Sequence, residues 1–340
     1  MSSKPIGKEI TDPQWKIVIP DRVSGSTALE QEIFGNRGRV VALNAKTNSE
    51  LPGRIEDADA ILAWHDLIWN VEVISALKKC KSIVRVGAGF DNVDLAAAKK
   101  AGIVVSNVPD YGTLDVADHA IALLLDLARG LKGHDRLART GTTGWVWGAV
   151  PTFRVTGKHF GIVGLGRIGT ATAMRAKALG MNVLFYDPYK PAGWDKALGV
   201  RRVSTLTELA SQSDIVSIHT PLTPETRGMI GADFFRASKK GLVFINTARG
   251  PIVDWAAFSE FFMSGWITCA GFDVLPVEPP NLNDPLLKAW ASDEPAIANR
   301  LVITPHCAFY SDEAVVEMRQ KAALEALRVL SGDKQQNQVN

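Results

Sequence analysis

The fold is decided by the stretch FGIVGLGRIG at residues 160–169, in which a short apolar run leads into the spacing Gly-x-Gly-x-x-Gly. A helical pattern at 168–179 follows directly, so the glycines lie between a predicted strand and a predicted helix. In that setting Gly164 permits a tight turn, Gly166 lets the backbone approach a pyrophosphate, and Gly169 lets the helix pack closely on the strand. The free N–H groups at the helix N-terminus attract phosphate. The stretch therefore predicts a Rossmann-type dinucleotide site.

An acidic residue stands where such a site needs one. Asp187 ends the next apolar run, 183–186, and lies eighteen positions after Gly169. A carboxylate there accepts hydrogen bonds from both ribose hydroxyls of NAD and repels the additional phosphate of NADP. We therefore predict NAD(H) as the cofactor. The alternative is a Rossmann-like fold that has lost its cofactor.

Strand-like and helical patterns alternate along the rest of the chain. The strand-like runs are short, rich in Val and Ile, and continuously apolar, which is typical of strands buried on both faces of a parallel sheet. They lie at 16–19, 39–43, 60–64, 82–86 and 103–105, and then at 160–163, 183–187, 215–219, 242–246, 270–274 and 301–304. Helical patterns include 71–79, 95–100, 114–131 and 313–330, and a polar tail follows the last of these. Two successive α/β series predict two doubly wound domains.

The composition excludes several classes of protein. The 340 residues are 46% hydrophobic and 22% charged, which is typical of a globular protein and not of a disordered one. Lys and Arg total 38 against 36 Asp and Glu, so the net charge of +2 gives no basis for nucleic-acid or membrane-surface binding. Three scattered cysteines indicate neither a disulfide framework nor a zinc motif, and we predict no metal. The longest apolar region, 121–127, contains Asp126 and is too short to span a bilayer, so we expect a cytoplasmic protein.

Charged side chains follow several strands of the second series. Arg249, Glu278 and His306 lie near predicted strand ends, where open α/β sheets bind their ligands. Arginine can hold a carboxylate through a bidentate pair, and histidine can give a proton to a carbonyl oxygen as hydride reaches its carbon. A carboxylate beside the histidine would fix its tautomer and favour its protonated form. Taken singly, each residue is more readily explained by a solvated, surface or loop-packing role; together they predict carbonyl reduction.

Several of these stretches resemble the D-isomer-specific 2-hydroxyacid dehydrogenase family. The resemblance covers nearly the whole chain and is strongest over 84–311. It rests on VGAGFDNVD at 86–94, GLGRIG at 164–169, NTARG at 246–250, FDV at 272–274 and TPH at 304–306. Within the family, the chain looks most like the branch of the C-terminal-binding proteins, on the basis of FYDPY at 185–189, the stretch 197–205 and FYS at 309–311.

The resemblance implies a domain arrangement that sequence order alone does not reveal. The catalytic domain would be flavodoxin-like and discontinuous, formed by residues 1–106 and 309–340, and the NAD-binding Rossmann domain, 107–308, would be inserted into it. Two long helices, 114–131 and 313–330, would join the domains as hinge elements, with the active site in the cleft between the domains. Members of the family are commonly homodimers through the cofactor domain, so a homodimer is expected.

The resemblance also implies residue roles. Arg249 would bind the substrate carboxylate and 2-oxo oxygen, His306 would be the acid/base, and Glu278 would pair with it. Substrate contacts would come from Gly87, Ala88, Arg249 and Phe309. Cofactor contacts would come from Thr113, Gly164, Gly166, Arg167, Ile168, Gly169, Asp187, His219, Thr220, Pro221, Thr247, Ala248, Asp273 and His306. Among these, Arg167 and Ile168 would contact the pyrophosphate, Asp187 the adenosine ribose and Asp273 the nicotinamide amide.

Three features depart from the family pattern or lack an assignment. Phe309 stands where the nearest branch has tryptophan, which leaves the side-chain pocket undefined. The segment 290–300 is longer than in many members and forms either a flap near the site or, as we favour, a surface excursion. Trp145 and Trp147 could reach the cleft or a dimer partner, and ordinary packing explains them equally well.

These observations predict an NAD-dependent D-2-hydroxyacid dehydrogenase that reversibly reduces a 2-oxo acid by hydride transfer. The first alternative is a glyoxylate or hydroxypyruvate reductase. The second is an NAD(H)-sensing, corepressor-like binding protein with incidental turnover. A phosphoglycerate dehydrogenase is disfavoured, because no basic cluster suited to a phosphate is evident near Gly87 and we expect no added C-terminal regulatory domain.

Overall fold

The computed structural model describes residues 13–21 and 25–340, and its contacts divide the chain into two compact units. The outer unit comprises Met1–Gly112 and Ser311–Asn340, and the inserted unit comprises Thr113–Tyr310. The domain limits expected after residues 106 and 308 stay a prediction. The predicted α/β class with two doubly wound sheets is confirmed, because all strands within each sheet are parallel.

The outer unit has a five-stranded sheet in the order β2-β1-β3-β4-β5. Its strands are β1 (Trp15–Ile19), β2 (Gly38–Ala42), β3 (Ala60–Ala63), β4 (Ser82–Arg85) and β5 (Val104–Asn107). Between them, the described residues form the α-helices α1 (Ala28–Phe34), α2 (Val71–Ala76) and α3 (Leu95–Lys100). This strand order is that of flavodoxin-like sheets, as predicted. The helix predicted to run to residue 79 ends at Ala76, because Leu77 takes an extended conformation.

The inserted unit has a seven-stranded sheet in the order β12-β11-β10-β9-β6-β7-β8. Its strands are β6 (His159–Val163), β7 (Asn182–Tyr186), β8 (Arg201–Arg202), β9 (Ile215–Ile218), β10 (Leu242–Asn246), β11 (Ile267–Phe272) and β12 (Leu301–Ile303). The chain builds outward from β6 in one direction, returns to β9, and continues in the other. The switch point of this Rossmann-type sheet is therefore at the carboxyl ends of β6 and β9, where dinucleotides bind.

The helices of the inserted unit include one break that the sequence pattern did not predict. They are α4 (Thr113–Arg129), α5 (Leu131–Ala138), α6 (Arg167–Ala178), α7 (Trp194–Leu198), α8 (Leu206–Gln212), α9 (Ala232–Ala237), α10 (Trp255–Met263), α11 (Pro285–Ala291) and α12 (Pro295–Ala298). The single helix predicted at 114–131 is wrong at its end. Gly130 takes a left-handed conformation with φ of 60°, which closes the first helix and starts the second.

Aromatic rings fill one side of the inserted sheet. Phe258 and Phe272 meet edge to face with ring centroids 4.7 Å apart, and Phe244 lies 5.7 Å from Phe272. The segment 290–300, expected as a surface excursion or a flap, is exposed at 291–296 and is anchored to this core by buried Ile297.

The outer unit is closed by the C-terminal helix α13 (Asp312–Ser331), which a bidentate ion pair from Arg319 to buried Glu30 ties to α1. The polar tail beyond it returns to the sheet edge. The N–H of Val339 donates to the carbonyl of Val105 at 2.9 Å, so the tail covers the otherwise open edge of β5. Within 13–21 and 25–340, no helix is both long and apolar enough to cross a membrane.

Candidate active site

The glycine turn between β6 and α6 has the close packing that its spacing predicts. A Cβ on Gly164, whose φ is +90°, would lie 2.7 Å from Cγ2 of Thr220 and 2.9 Å from the carbonyl oxygen of His219. A Cβ on Gly169 would lie 2.1 Å from the carbonyl oxygen of Gly164. Gly166 caps α6 without a side-chain hydrogen bond, and the space beside its Cα is open. The helix N-terminus is thus left accessible to a phosphate group.

Asp187 lies at the end of β7, beside this turn. Its carboxylate accepts hydrogen bonds from the N–H of Leu165 at 2.8 Å and from the N–H of Tyr189 at 2.9 Å. Each oxygen accepts one of these bonds and keeps a second lone pair. The carboxylate is therefore fixed in place and can still accept hydrogen bonds from two ribose hydroxyls.

Three residues predicted to line the cofactor carry a buried hydroxyl that has no hydrogen-bond partner within the described part of the chain. They are Thr113, Thr220 and Thr247. Leaving a buried hydroxyl unsatisfied costs about 1–3 kcal/mol, so such groups are favourable sites for a polar ligand. Together with the open N-terminus of α6, these hydroxyls fit a bound dinucleotide.

His219 contributes a neutral imidazole to the same edge. Its Nε2 lies 2.8 Å from the hydroxyl of Ser217. Burial lowers the pKa of His219 to about 3, so the ring stays uncharged near neutral pH. The ring therefore adds no positive charge to the cofactor region.

His306 follows β12 and pairs with Glu278. Its Nδ1 lies 2.7 Å from Oε2 of Glu278, and the other carboxylate oxygen accepts from the N–H of Leu275 at 2.8 Å. The backbone of His306 has φ of +51°, a left-handed conformation that few non-glycine residues adopt and that clusters at functional sites. The pair can hold a proton donor in one tautomer and one orientation.

The charge state of Glu278 follows from its neighbours. Burial acts to raise the pKa of its carboxyl group, but hydrogen bonds and the charges of His306 and Arg249 outweigh burial and lower the pKa below its usual value. Glu278 is therefore ionised near neutral pH. The guanidinium of Arg249 also donates to the carbonyl of Ala248 at 2.8 Å, in the loop that follows β10. The three predicted catalytic residues thus belong to one unit and one electrostatic group.

Asp273, which follows β11, is almost completely buried and is heavily hydrogen-bonded. Its carboxylate accepts from the hydroxyl of Thr304 at 2.6 Å and from the N–H groups of Cys307 and Ala308 at 2.9 Å each. His119 and Cys307 bring potential metal-ligand atoms within 4.8 Å of this carboxylate. Because the carboxylate oxygens already accept three protein donors, we describe the cluster as a hydrogen-bond network.

The remaining predicted substrate contacts belong to different units of the chain. Phe309 belongs to the inserted unit, and its ring centroid is 6.5 Å from that of His306 in an edge-on arrangement. Gly87 and Ala88 follow β4 in the outer unit. The carbonyl of Ala88 accepts from the side-chain amide of Asn107 at 2.7 Å, which fixes this loop.

Arg85 is a candidate anion-binding residue that the sequence did not indicate. It ends β4, is buried, and brings its guanidinium so close to Gly87 that a Cβ there would lie 2.2 Å from Nη1. The expectation of no basic cluster near Gly87 stays a prediction, but one buried cation, that of Arg85, lies beside this loop. A charged residue inside the apolar run 82–86 was the signal that could have found it.

Trp145 and Trp147 are exposed on the inserted unit, by 80% and 96% of their surface. Ordinary packing within the chain therefore does not explain them. The cysteines Cys80, Cys269 and Cys307 are all free thiols, and no disulfide joins them.

Comparison with known proteins identifies the family. Residues 121–308 match the model of the D-isomer specific 2-hydroxyacid dehydrogenase NAD-binding domain, which is more than half of the chain. The chain belongs to this family. The predicted family and the predicted NAD(H) cofactor are thereby confirmed. The branch of the C-terminal-binding proteins is not tested by the comparisons and stays a prediction.

Relatives and solved structures extend the likeness to nearly the whole chain. A glyoxylate reductase of Korarchaeum cryptofilum is 37% identical over 84% of each chain. A D-3-phosphoglycerate dehydrogenase of Archaeoglobus fulgidus is 36% identical over 96% of this chain, which spans only 59% of that relative. The structure of D-lactate dehydrogenase from Aquifex aeolicus, complexed with NAD and lactic acid, has a TM-score of 0.79 and 28% identity, covering 93% of this chain and 96% of that one.

Proposed function

We propose that this chain is an NAD-dependent D-2-hydroxyacid dehydrogenase that reversibly reduces a 2-oxo acid. The observation that carries the proposal is the 2.7 Å pair between His306 and Glu278, near Arg249 and in the same unit as the dinucleotide-binding turn. A proton donor, a carboxylate-binding cation and a cofactor site are the three components that reduction of a 2-oxo acid requires.

Each residue of the group has a distinct task. Arg249 binds the substrate carboxylate and polarises the 2-oxo oxygen. Glu278 accepts the Nδ1–H of His306 and stabilises the protonated ring, so Nε2–H is the group that gives a proton to the carbonyl oxygen. When bound, NADH supplies the hydride that reduces the carbonyl carbon. In the reverse direction His306 accepts the proton from the hydroxyl group.

In the outer unit, the N–H of Ala88 is proposed to bind a carboxylate, whereas the N–H of Gly87 already donates to the carbonyl of Arg85 at 2.9 Å. The buried guanidinium of Arg85 supports an anion at this loop, because it places positive charge directly beside Gly87.

The substrate is tested by following NADH oxidation against six 2-oxo acids, with NADPH in parallel. The panel comprises glyoxylate, hydroxypyruvate, pyruvate, 2-oxo-4-methylthiobutyrate, phenylpyruvate and 3-phosphohydroxypyruvate. The likeness to a glyoxylate reductase favours glyoxylate as the substrate of the alternative reductase function. A preference for phenylpyruvate would instead indicate that Phe309 shapes the side-chain pocket. Tight NADH binding without turnover on any acid would refute the proposal and favour the binding-protein alternative.

The role of His306 is tested with His306→Asn, because asparagine tolerates the left-handed backbone that this position requires. Turnover should fall by about 10²–10⁴ while NADH binding is retained, as expected for loss of a general acid. His134→Gln on α5 is the matched control and should turn over normally. Normal turnover by His306→Asn would show that another group supplies the proton.

We also propose a homodimer, formed through the inserted unit as the family resemblance implies. The exposed Trp145 and Trp147 lie on that unit and supply apolar surface. Light scattering coupled to size-exclusion chromatography should give twice the mass of one chain, and a Trp145→Ser/Trp147→Ser variant should shift toward the single chain.

A further inference from the structure

A small loop, residues 304–308, is fastened to Asp273 by several hydrogen bonds. The carboxylate of Asp273 accepts from the hydroxyl of Thr304 and from two backbone N–H groups, those of Cys307 and Ala308. The carbonyl oxygen of Asp273 also accepts from the N–H of His306 at 2.8 Å. Four bonds therefore hold the segment that carries His306 against one residue.

A second side chain completes this arrangement from a distant part of the sequence. His119, on α4, places Nε2 2.9 Å from the hydroxyl oxygen of Thr304 and 3.7 Å from Oδ1 of Asp273. Because the one hydroxyl hydrogen of Thr304 points to Asp273, the oxygen accepts from Nε2–H of His119. The donors form a relay in which His119 orients Thr304, and Thr304 donates to Asp273.

We propose that His119 and Thr304 are positioning residues, which act through Asp273 to hold His306 in its productive geometry. The relay is needed because His306 has φ of +51°, a conformation that persists only where the surroundings enforce it. A carboxylate that loses one of its three donors is less firmly fixed in orientation, so it can turn away from the other two and the loop gains freedom. The inference rests on the proposed function for its kinetic consequence but not for its structural one.

The first test is kinetic and uses Thr304→Val and His119→Leu, which remove the hydroxyl and the ring donor with little change in size. We expect kcat to fall by about 10- to 100-fold, because a small misplacement of a reacting group is costly, while the KM for NADH changes by less than about 3-fold. Thr304→Ser and His119→Gln restore a donor at each position and should recover most of kcat. Ser213→Ala, which removes another buried hydroxyl of the inserted unit, should leave kcat unchanged.

The second test is hydrogen exchange of the Cys307 and Ala308 amides in the full chain without substrate. Thr304→Val and His119→Leu should raise both exchange rates by about 10-fold or more, while the amides of β10 keep their protection. This readout does not depend on turnover, so it remains decisive if no acid of the panel is reduced.

The outcomes distinguish failure of the positioning relay from failure of the proposed function. Unchanged exchange in both variants shows that the relay does not hold the loop, whatever the activity. Faster exchange with unchanged kcat on an active enzyme shows that the relay does not position His306 for catalysis. Absence of turnover in the wild type counts against the proposed function alone. If a variant unfolds, Thr304→Ala replaces it, and its exchange rates and kcat are judged by the same criteria.

Discussion

The ion pair between Arg319 and Glu30 gives the sharpest prediction about stability. Two bonds join the partners, at 2.6 and 2.7 Å, and Arg319 also donates to the carbonyl of Ser26. The carboxylate of Glu30 is 2% exposed and the arginine side chain 11%, so water screens this pair very little. The pair connects α13 to α1 within the outer unit.

Replacing Arg319 by methionine keeps most of the side-chain volume but leaves a buried carboxylate without its partner. Such a change typically costs about 3–5 kcal/mol, mainly the desolvation of the remaining charge. Glu30→Leu combined with Arg319→Met removes both charges, and the double variant should return to within about 1 kcal/mol of the wild type. The two effects are therefore strongly non-additive.

Urea unfolding followed by circular dichroism measures the free energies, and hydrogen exchange of β1 reports the outer unit separately. Arg236→Met is the control, because its ion pair with Asp233 is largely exposed and should contribute less than about 0.5 kcal/mol. If Arg319→Met loses less than about 1 kcal/mol, or if the double variant is as unstable as the single one, Arg319 does not stabilise the outer unit by neutralising buried Glu30.

Three further predictions concern pH, cofactor choice and the tail. His219 has a pKa of about 3 in the folded chain, whereas an unfolded histidine titrates near 6.5. Because the unfolded state binds the proton first, the free energy of unfolding should fall by about 1–2 kcal/mol from pH 7.5 to 5. Urea titrations should show this dependence in the wild type and not in His219→Gln. Asp187→Ser removes the charge that repels a ribose phosphate and should raise kcat/KM for NADPH by about 10-fold while lowering it for NADH. Deleting residues 334–340 removes the bonds to β5 and should cost about 1–3 kcal/mol in the outer unit, with faster amide exchange at Val105.

Local patterns predicted the sheets well because parallel strands must be apolar on both faces. The run at 160–163 and its glycines also predicted the cofactor turn, since each glycine has a local steric reason. The helix break at Gly130 was harder, because a glycine within a helical pattern is tolerated as often as it ends a helix. A side chain at Gly130 would also clash with Val150, whose Cγ1 would lie 2.5 Å from an added Cβ, and this tertiary contact is not visible in the local sequence.

The supporting contacts of the candidate site could not be predicted in the same way. His119 and Thr304 are 185 residues apart, and no local pattern relates a histidine within a helix to a threonine after a strand. Arg85 was overlooked for a related reason: it ends an apolar run, where a charge is normally a strand terminus and not a buried cation. Strand-end reasoning therefore predicts which residues face a ligand, and tertiary structure decides which groups hold them there.

Asp273 is a residue that both holds the loop of His306 and is expected to bind a ligand. The family resemblance assigns this carboxylate to the nicotinamide amide, whereas in this chain its oxygens already accept three donors from Thr304, Cys307 and Ala308. A carboxylate has about four lone-pair positions, so a ligand amide would be a fourth partner. Asp273 would then contact the cofactor while its other lone pairs hold the loop that carries His306.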